Sequence, residues 1–348
     1  MPKVWIHEAI DRIESDFNRS ADTHLIRLPN CVCPNIDLYL KDESIHPSGS
    51  LKHRLARSLF LYAICNGWID EGTPVVEASS GSTAISEAYF AKLLDLPFHT
   101  VIPRETSKEK IHKIEFLGGI CHLCDGKDMY ASAIALAKEL GGHYMDQFTY
   151  AERATDWRGN NNIAESLFKQ MQRERFNEPT WVVMSAGTGG TSATIGRYIR
   201  YQQLNTKLCV ADPENSVFYD FYHSGDRDLT SDLPSRIEGI GRPRVEPSFI
   251  SSVVDRMMRV PDAAAMATIR ALHRLIERKC GGSTGTNLWA ALQIMKAMRE
   301  AGEQGSIVTM ICDGGERYLD TYYDDQWLEA QGLELAPYQA ELDELLSI

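Results

Sequence analysis

Four short stretches of this chain combine glycines, hydroxyls and one lysine in patterns that can do chemistry. The first, HPSGSLKHR from His46 to Arg54, puts Lys52 behind Ser48-Gly49-Ser50-Leu51 at the front of a helical pattern. A lysine there is either a solvated charge or an amine that can condense with a carbonyl and then move protons. The second, EASSGSTAIS, ends an apolar strand pattern with Ser79, Ser80, Gly81, Ser82 and Thr83. Hydroxyls and open amides at a helix start suit a carboxylate, although Ser and Thr are also ordinary N-cap residues. The third, SAGTGGTSATIG from Ser185 to Gly196, follows the strand pattern WVVM and opens a helix. Glycines there let the backbone approach a ligand, and the free N–H groups of the first turn favour an anion such as phosphate. The fourth, CGGSTG from Cys280 to Gly285, again precedes a helix.

Two other chemistries compete for these residues. Gly187-Thr188-Gly189-Gly190 resembles a dinucleotide-binding turn, and Asp212 ends the next strand, where an acid could meet a ribose. Against that, Ser192 stands where the third glycine belongs, and no Gly-Lys-Ser/Thr closes a Walker loop. Cys31-Val-Cys33 and Cys121-His122-Leu-Cys124 have spacings that could ligate zinc. The second pair falls where a short strand should end, and buried free cysteine is common in strands. The reading is therefore that there is no metal.

These loops need elements to position them. Short apolar runs (IDLYLKD, PVVEA, PFHTVIP, GICHL, WVVMS, KLCVADP, SIVTMICD) alternate with amphipathic helical patterns. Strands separated by helices of that length predict right-handed βαβ units and parallel sheets, with ligands at the carboxyl ends of the strands. A chain of 348 residues exceeds what one core holds, so two lobes are expected. The net charge of −12 argues against a nucleic acid or an anionic membrane as partner. No run of ~18 apolar residues is present to span a membrane, and the N-terminal stretch lacks the apolar core of a secretory signal. The expected place is the cytoplasm.

Two segments carry less signal. Residues 212–249 show no clear period, and the stretch brings Arg236, Arg242 and Arg244 together. It reads either as a surface crossover with solvated charges or as a rim that draws an anionic substrate. The terminal DELLSI reads as a solvated helix end.

Taken in order, PSGSLKHR, EASSGSTA, SAGTGGT, CGGSTG and GERYLDT resemble the cysteine synthase and cystathionine β-synthase family of fold type II pyridoxal-phosphate enzymes. IEGIGRPRVEPSF and the SSGST loop look most like the L-cysteine desulfhydrases. The resemblance implies an α/β fold like that of the tryptophan synthase β-subunit. It would have two three-layer αβα lobes, with pyridoxal 5'-phosphate in the cleft between them. Residues 1–52 and 166–348 would form the larger, cofactor-binding domain and residues 53–165 a smaller mobile one. It further implies that Lys52 carries the cofactor as a Schiff base, that Gly187, Thr188, Gly189, Gly190 and Thr191 bind its phosphate, and that Ser283 meets the pyridine nitrogen. Ser79, Ser80, Gly81 and Thr83, with Gln147, would receive the substrate carboxylate. The family's usual loop reads TSGNT, and its asparagine reaches the cofactor's phenolic oxygen. Here the shorter Ser82 takes that place. The implied reaction is α,β-elimination of L-cysteine to hydrogen sulfide, pyruvate and ammonia, by a homodimer acting on a small amino acid. The alternatives are β-replacement of the cysteine synthase type and a catalytically silent cofactor-binding partner protein.

Overall fold

Strands and helices alternate along the chain in the computed structural model, which describes residues 2–19, 22–29, 33–125 and 129–346. Helix α1 (Pro2–Arg19) leads into strands β1 (His24–Arg27) and β2 (Ile36–Asp42), then α2 (Lys52–Cys65), β3 (Val75–Ala78), α3 (Ser82–Leu93) and β4 (Phe98–Pro103). There follow α4 (Lys108–Phe116), β5 (Ile120–Cys124), α5 (Met129–Glu139), β6 (His143–Tyr144), α6 (Gln147–Ala154) and α7 (Ile163–Met171). The second half contains β7 (Trp181–Ser185), α8 (Gly190–Tyr201), β8 (Lys207–Pro213), α9 (Phe218–Ser224) and β9 (Arg256–Val260). It closes with α10 (Asp262–Ile276), α11 (Gly282–Glu300), β10 (Gly305–Ile311), α12 (Asp325–Ala330) and α13 (Ala336–Leu346).

The chain divides into two compact units, one from Met1–Asp22 and His46–Thr155, the other from Thr23–Ile45 and Asp156–Ile348. The first unit holds an all-parallel sheet in the order β5-β4-β3-β6. All four residues of β3 are buried because helices cover both faces. Val75 packs into the cluster built with α2 and α3, while Val76 and Ala78 pack towards α5. The alternation of a strand therefore turns Glu77, like Val75, to the α2 and α3 side.

The second unit holds a six-stranded sheet in the order β1-β2-β10-β7-β8-β9, parallel except for the antiparallel edge strand β1. Its central strands β2 and β10 are buried along their whole lengths. Helix α11 crosses α10 at close range because Gly285 has no side chain. A Cβ there would lie 2.1 Å from the carbonyl oxygen of Ala265.

The units divide near 22, 45 and 155, whereas the sequence expectation divided them at 52 and 165. The physical reason lies in α1. Ala9 and Ile13, four residues apart on one helical face, are buried with the first unit's core, and Glu14 pairs with Arg57 of α2 at 2.7 Å. The tail also departs from expectation, since Leu342, Leu345 and Leu346 of α13 are buried in the second unit's core and not solvated. No helix among the described residues is long and apolar enough to cross a membrane.

Candidate active site

Lys52 is the first residue of α2, at the end of a turn in which Gly49 adopts φ +78° and the Gly49 amide donates to the His46 carbonyl at 2.7 Å. The first turn of a helix is electrostatically poor for a cation, so helix stability does not explain a lysine there. The turn is fastened from beneath. Ser48 Oγ lies 3.0 Å from His53 Nδ1 and 2.9 Å from Ser86 Oγ of α3, with all three residues buried. His53 is wedged by His46, Tyr89 and Phe90, with ring centroids 4.9, 5.2 and 4.8 Å away. The lysine turn and the SSGST helix are thus one hydrogen-bonded assembly.

The loop after β3 places Ser79 and Ser80 ahead of Gly81, which precedes α3 with no side-chain cap. Ser82 and Thr83 occupy the helix's first two positions. The Ser79 carbonyl accepts a 2.6 Å bond from Thr100 Oγ1, and Ser79 Oγ accepts from the Gly81 amide at 3.3 Å. Thr83 Oγ1 donates to Gln147 Oε1 at 2.8 Å, which leaves the Gln147 amide nitrogen as a donor for another acceptor. The structure thus brings Thr83 and Gln147 together from positions 64 residues apart.

In the second unit the glycine loop bridges β7 and α8. Gly189 precedes the helix at φ +89°, again with no side-chain cap, and the Gly190 amide donates to Thr188 Oγ1 at 3.2 Å. What the sequence did not reveal is the wall behind this loop. A Cβ on Gly187 would stand 2.1 Å from the Gly239 carbonyl oxygen, and one on Gly189 would stand 2.5 Å from Phe249 Cα. The Gly241 amide donates to the Ala186 carbonyl at 2.9 Å. IEGIGRPRVEPSF is therefore the backing of the glycine loop. The signal for this role was the glycine pair 239 and 241, both at positive φ.

Each of the three arginines of that stretch pairs with an acid of the same unit. Arg236 pairs with Glu214 and with buried Asp262, and Arg242 and Arg244 both bond buried Glu246 at 2.8 and 3.2 Å. A buried carboxylate left without its cation costs several kcal/mol, so these pairs fix the course of the segment.

The fourth loop lies at the start of α11, where Gly281 caps the helix and Ser283 is buried in its first turn. A Cβ on Gly282 would come 3.3 Å from Ile237 Cγ2, so the 237–239 stretch abuts both the CGGSTG loop and the glycine loop. Asp313 closes over this helix start. Its Oδ2 accepts from Tyr318 at 2.7 Å, its Oδ1 is buried with no partner, and burial pushes its carboxyl up to about 6.

The competing chemistries find less support. Asp212 Oδ2 accepts from the Tyr219 amide at 2.8 Å, which caps α9, and burial pushes the Asp212 carboxyl up to about 7. That carboxylate oxygen is taken up internally and does not face a ribose. Cys31 lies outside the described residues. Cys121 and Cys124 sit on edge strand β5, and the Cys121 thiol is pushed up to about 11 by burial, away from the thiolate that a metal needs. Among the described residues no three His, Cys, Asp or Glu side chains group closely enough to hold a metal.

Pyridoxal phosphate, by contrast, fits these residues. The cradle from Gly187 to Thr191 joins backbone with no room for a side chain at Gly187 and Gly189 to a glycine-capped helix start, which suits a phosphate dianion. Just before it, Ser185 Oγ is buried without a partner. The Ser283 hydroxyl can meet a ring nitrogen, and Lys52 offers the amine that an aldehyde requires.

Comparison with known proteins agrees with this fit. The family described as "pyridoxal-phosphate dependent enzyme" matches residues 18–313. The L-cysteine desulfhydrase Cds1 of Mycobacterium tuberculosis (strain ATCC 25177 / H37Ra) is 59% identical over 349 aligned residues, which span 99% of this chain and 95% of that protein. The cysteine synthase of Aquifex aeolicus (strain VF5) is 30% identical and covers 86% of this chain and 89% of its own length. A crystal structure of O-ureido-L-serine synthase superposes with a TM-score of 0.78 at 26% identity, across 90% of this chain and 98% of that one.

Proposed function

The chain belongs to the pyridoxal-phosphate-dependent enzyme family, and from that premise we propose that it is an L-cysteine desulfhydrase, which converts L-cysteine and water to hydrogen sulfide, pyruvate and ammonia. The observation that carries this reading is the 59% identity to such a desulfhydrase along 99% of the chain, a span that includes all four loops.

When bound, pyridoxal phosphate supplies an aldehyde for attachment to an amine and a ring that withdraws electrons from the substrate's α-carbon. In this reading Lys52 Nζ would hold the cofactor covalently, and as a free amine it would be the base that takes the α-proton. Ser79, Ser80, Gly81, Thr83 and Gln147 would bind the α-carboxylate and so orient the Cα–H bond, while Ser82 takes the position from which the family's asparagine reaches the cofactor's phenolic oxygen. Gly187, Thr188, Gly189, Gly190 and Thr191 hold the phosphate. Ser283 meets the ring nitrogen with a neutral hydroxyl, which stabilises less positive charge there than a carboxylate would. That favours elimination over transamination. Loss of the β-sulfur is followed by hydrolysis of the remaining three-carbon fragment to pyruvate and ammonia.

Supplying L-cysteine alone and measuring sulfide and pyruvate together tests the assignment. Equal amounts of the two are expected. Sulfide without matching pyruvate would reject desulfhydration and assign β-replacement, the chemistry of the related cysteine synthases. The same reading places the protein in the cytoplasm as a homodimer. The seven described cysteines, all free thiols, favour a reducing compartment, and sedimentation of the holoenzyme measures the dimer.

A further inference from the structure

Beneath the carboxylate loop the first unit buries two acids side by side. Glu77 on β3 and Glu87 on α3 are each fully buried and within hydrogen-bonding reach of one another. No lysine, arginine or histidine pairs with either among the described residues. Two adjacent carboxylates in a dry interior without a cation repel strongly, so a proton stays on the pair.

The surroundings decide which acid keeps it. Glu77 accepts two amide bonds, from Ala78 at 2.7 Å on Oε1 and from Gln147 at 3.2 Å on Oε2, and such donors favour a carboxylate. Neither oxygen of Glu87 receives a hydrogen bond from any N–H or hydroxyl group, which favours the neutral acid. Burial pushes Glu77 up to about 7. Burial first, and then the charge of Glu77, push Glu87 well above the ordinary carboxyl range.

The two bonds of Glu77 reach both ends of the substrate site proposed above. Ala78 leads into Ser79–Thr83, and Gln147 receives the Thr83 hydroxyl. Glu77, Gln147, Thr83 and the loop back to Ala78 therefore form one closed ring. We propose that Glu87 is a positioning residue for substrate binding: held as a neutral acid, it donates to Glu77, fixes the ring, and keeps a second negative charge from beneath the site that receives an amino acid's α-carboxylate. This inference rests on the assignment of the 79–83 loop to that carboxylate. The other titratable groups bearing on the pair are Asp146 at the start of α6 and Tyr144 on β6, itself beside Tyr130 of α5, while His53 of α2 packs on the neighbouring turn of α3.

Steady-state kinetics of the holoenzyme with L-cysteine tests it. Glu87→Leu removes the donor at similar volume and is expected to raise KM about tenfold, the loss of one hydrogen bond to a charged group, with kcat and the cofactor's visible absorbance little changed. Glu87→Gln keeps a donor and should restore the wild-type KM at neutral pH. An unchanged KM in Glu87→Leu, or an equal defect in both variants, overturns the proposal. Should Glu87→Leu fail to fold, the ratio of wild-type KM to Glu87→Gln KM decides. It should grow as pH rises above neutrality and the wild-type pair approaches its second ionisation, and a constant ratio overturns the proposal. Ser80→Ala separates the two assignments. A raised KM there with no effect at Glu87 defeats the acid pair alone, whereas no effect at Ser80 defeats the carboxylate loop and this inference with it.

Discussion

Gly187 and Gly239 are in backbone contact, so that a methyl group on Gly187 would stand 2.1 Å from the Gly239 carbonyl oxygen. Neither partner can yield cheaply. Gly187 belongs to the loop between β7 and α8, and Gly239 to a segment pinned by the Arg242–Glu246 and Arg236–Asp262 pairs. Gly187→Ala must therefore push the glycine loop out of shape, at a cost of about 1–3 kcal/mol. The expected result is a folded protein that loses pyridoxal phosphate on dialysis at least about tenfold more readily. Gly81→Ala is the control: its Cβ meets nothing within 4 Å and its φ is −107°, so it should retain the cofactor as wild type does. Equal retention by Gly187→Ala would show that the backing segment does not constrain the loop.

Lys52 tests the assignment of the amine. In the proposed assignment Lys52→Ala removes both the covalent anchor and the base. Activity should fall by ~10³-fold or more, and the visible absorbance of the lysine-linked cofactor should vanish. Because Lys52 is only partly buried at a helix start, where alanine is a good residue, the thermal midpoint of the cofactor-free protein should stay within a few degrees of wild type. A variant that kept the absorbance would assign the anchor to another amine.

The loops were legible in the sequence and much of their support was not. Serines, glycines and a lysine at strand-to-helix junctions announce themselves because local geometry demands those types: glycine where backbones touch, hydroxyls where helix amides open. Gln147 came only through the family resemblance, yet the structure brings it to Thr83. Glu77 and Glu87 stood in plain view inside PVVEA and STAISEAYF, but an acid in a strand pattern reads as solvated until both faces of the sheet are known to be covered. The pairing of Arg236, Arg242 and Arg244 was hidden for the same reason, since their buried partners lie in irregular backbone or at a remote helix start. The docking of α1 and α13 depends on which distant surface accepts an apolar stripe, and periodicity does not name it.

His53 offers a prediction on the lysine turn. Its Nδ1 lies 3.0 Å from Ser48 Oγ, which in turn meets Ser86 Oγ at 2.9 Å. His53→Ala opens a cavity between Tyr89 and Phe90 and strips Ser48 of a partner, so urea unfolding should show a loss of about 2–4 kcal/mol. His53→Asn can place an amide where Nδ1 was and should recover part of it. An alanine variant as stable as wild type would mean that the turn holds Lys52 without this bond.

Asp212 gives the clearest dependence on pH. Burial pushes its carboxyl up to about 7 in the folded chain, against an ordinary value near 3.8 once the chain unfolds. Between those values the folded protein holds a proton that the unfolded chain has released. The contribution of this group to stability therefore falls as pH rises from about 4 to about 7 and stays lowered above that. Asparagine cannot ionise, and its amide oxygen can still accept from the Tyr219 N–H. Asp212→Asn should accordingly match wild type near pH 4 and exceed it in stability near pH 8, by an amount on the order of 4 kcal/mol at most. Glu77 and Asp313 are raised as well, but they titrate alike in both proteins and cancel from the difference. Denaturant unfolding of the two proteins at both pH values measures the gap. A gap that stays constant between them would mean that Asp212 is already ionised in the folded chain, with its buried Oδ1 satisfied by a solvent molecule.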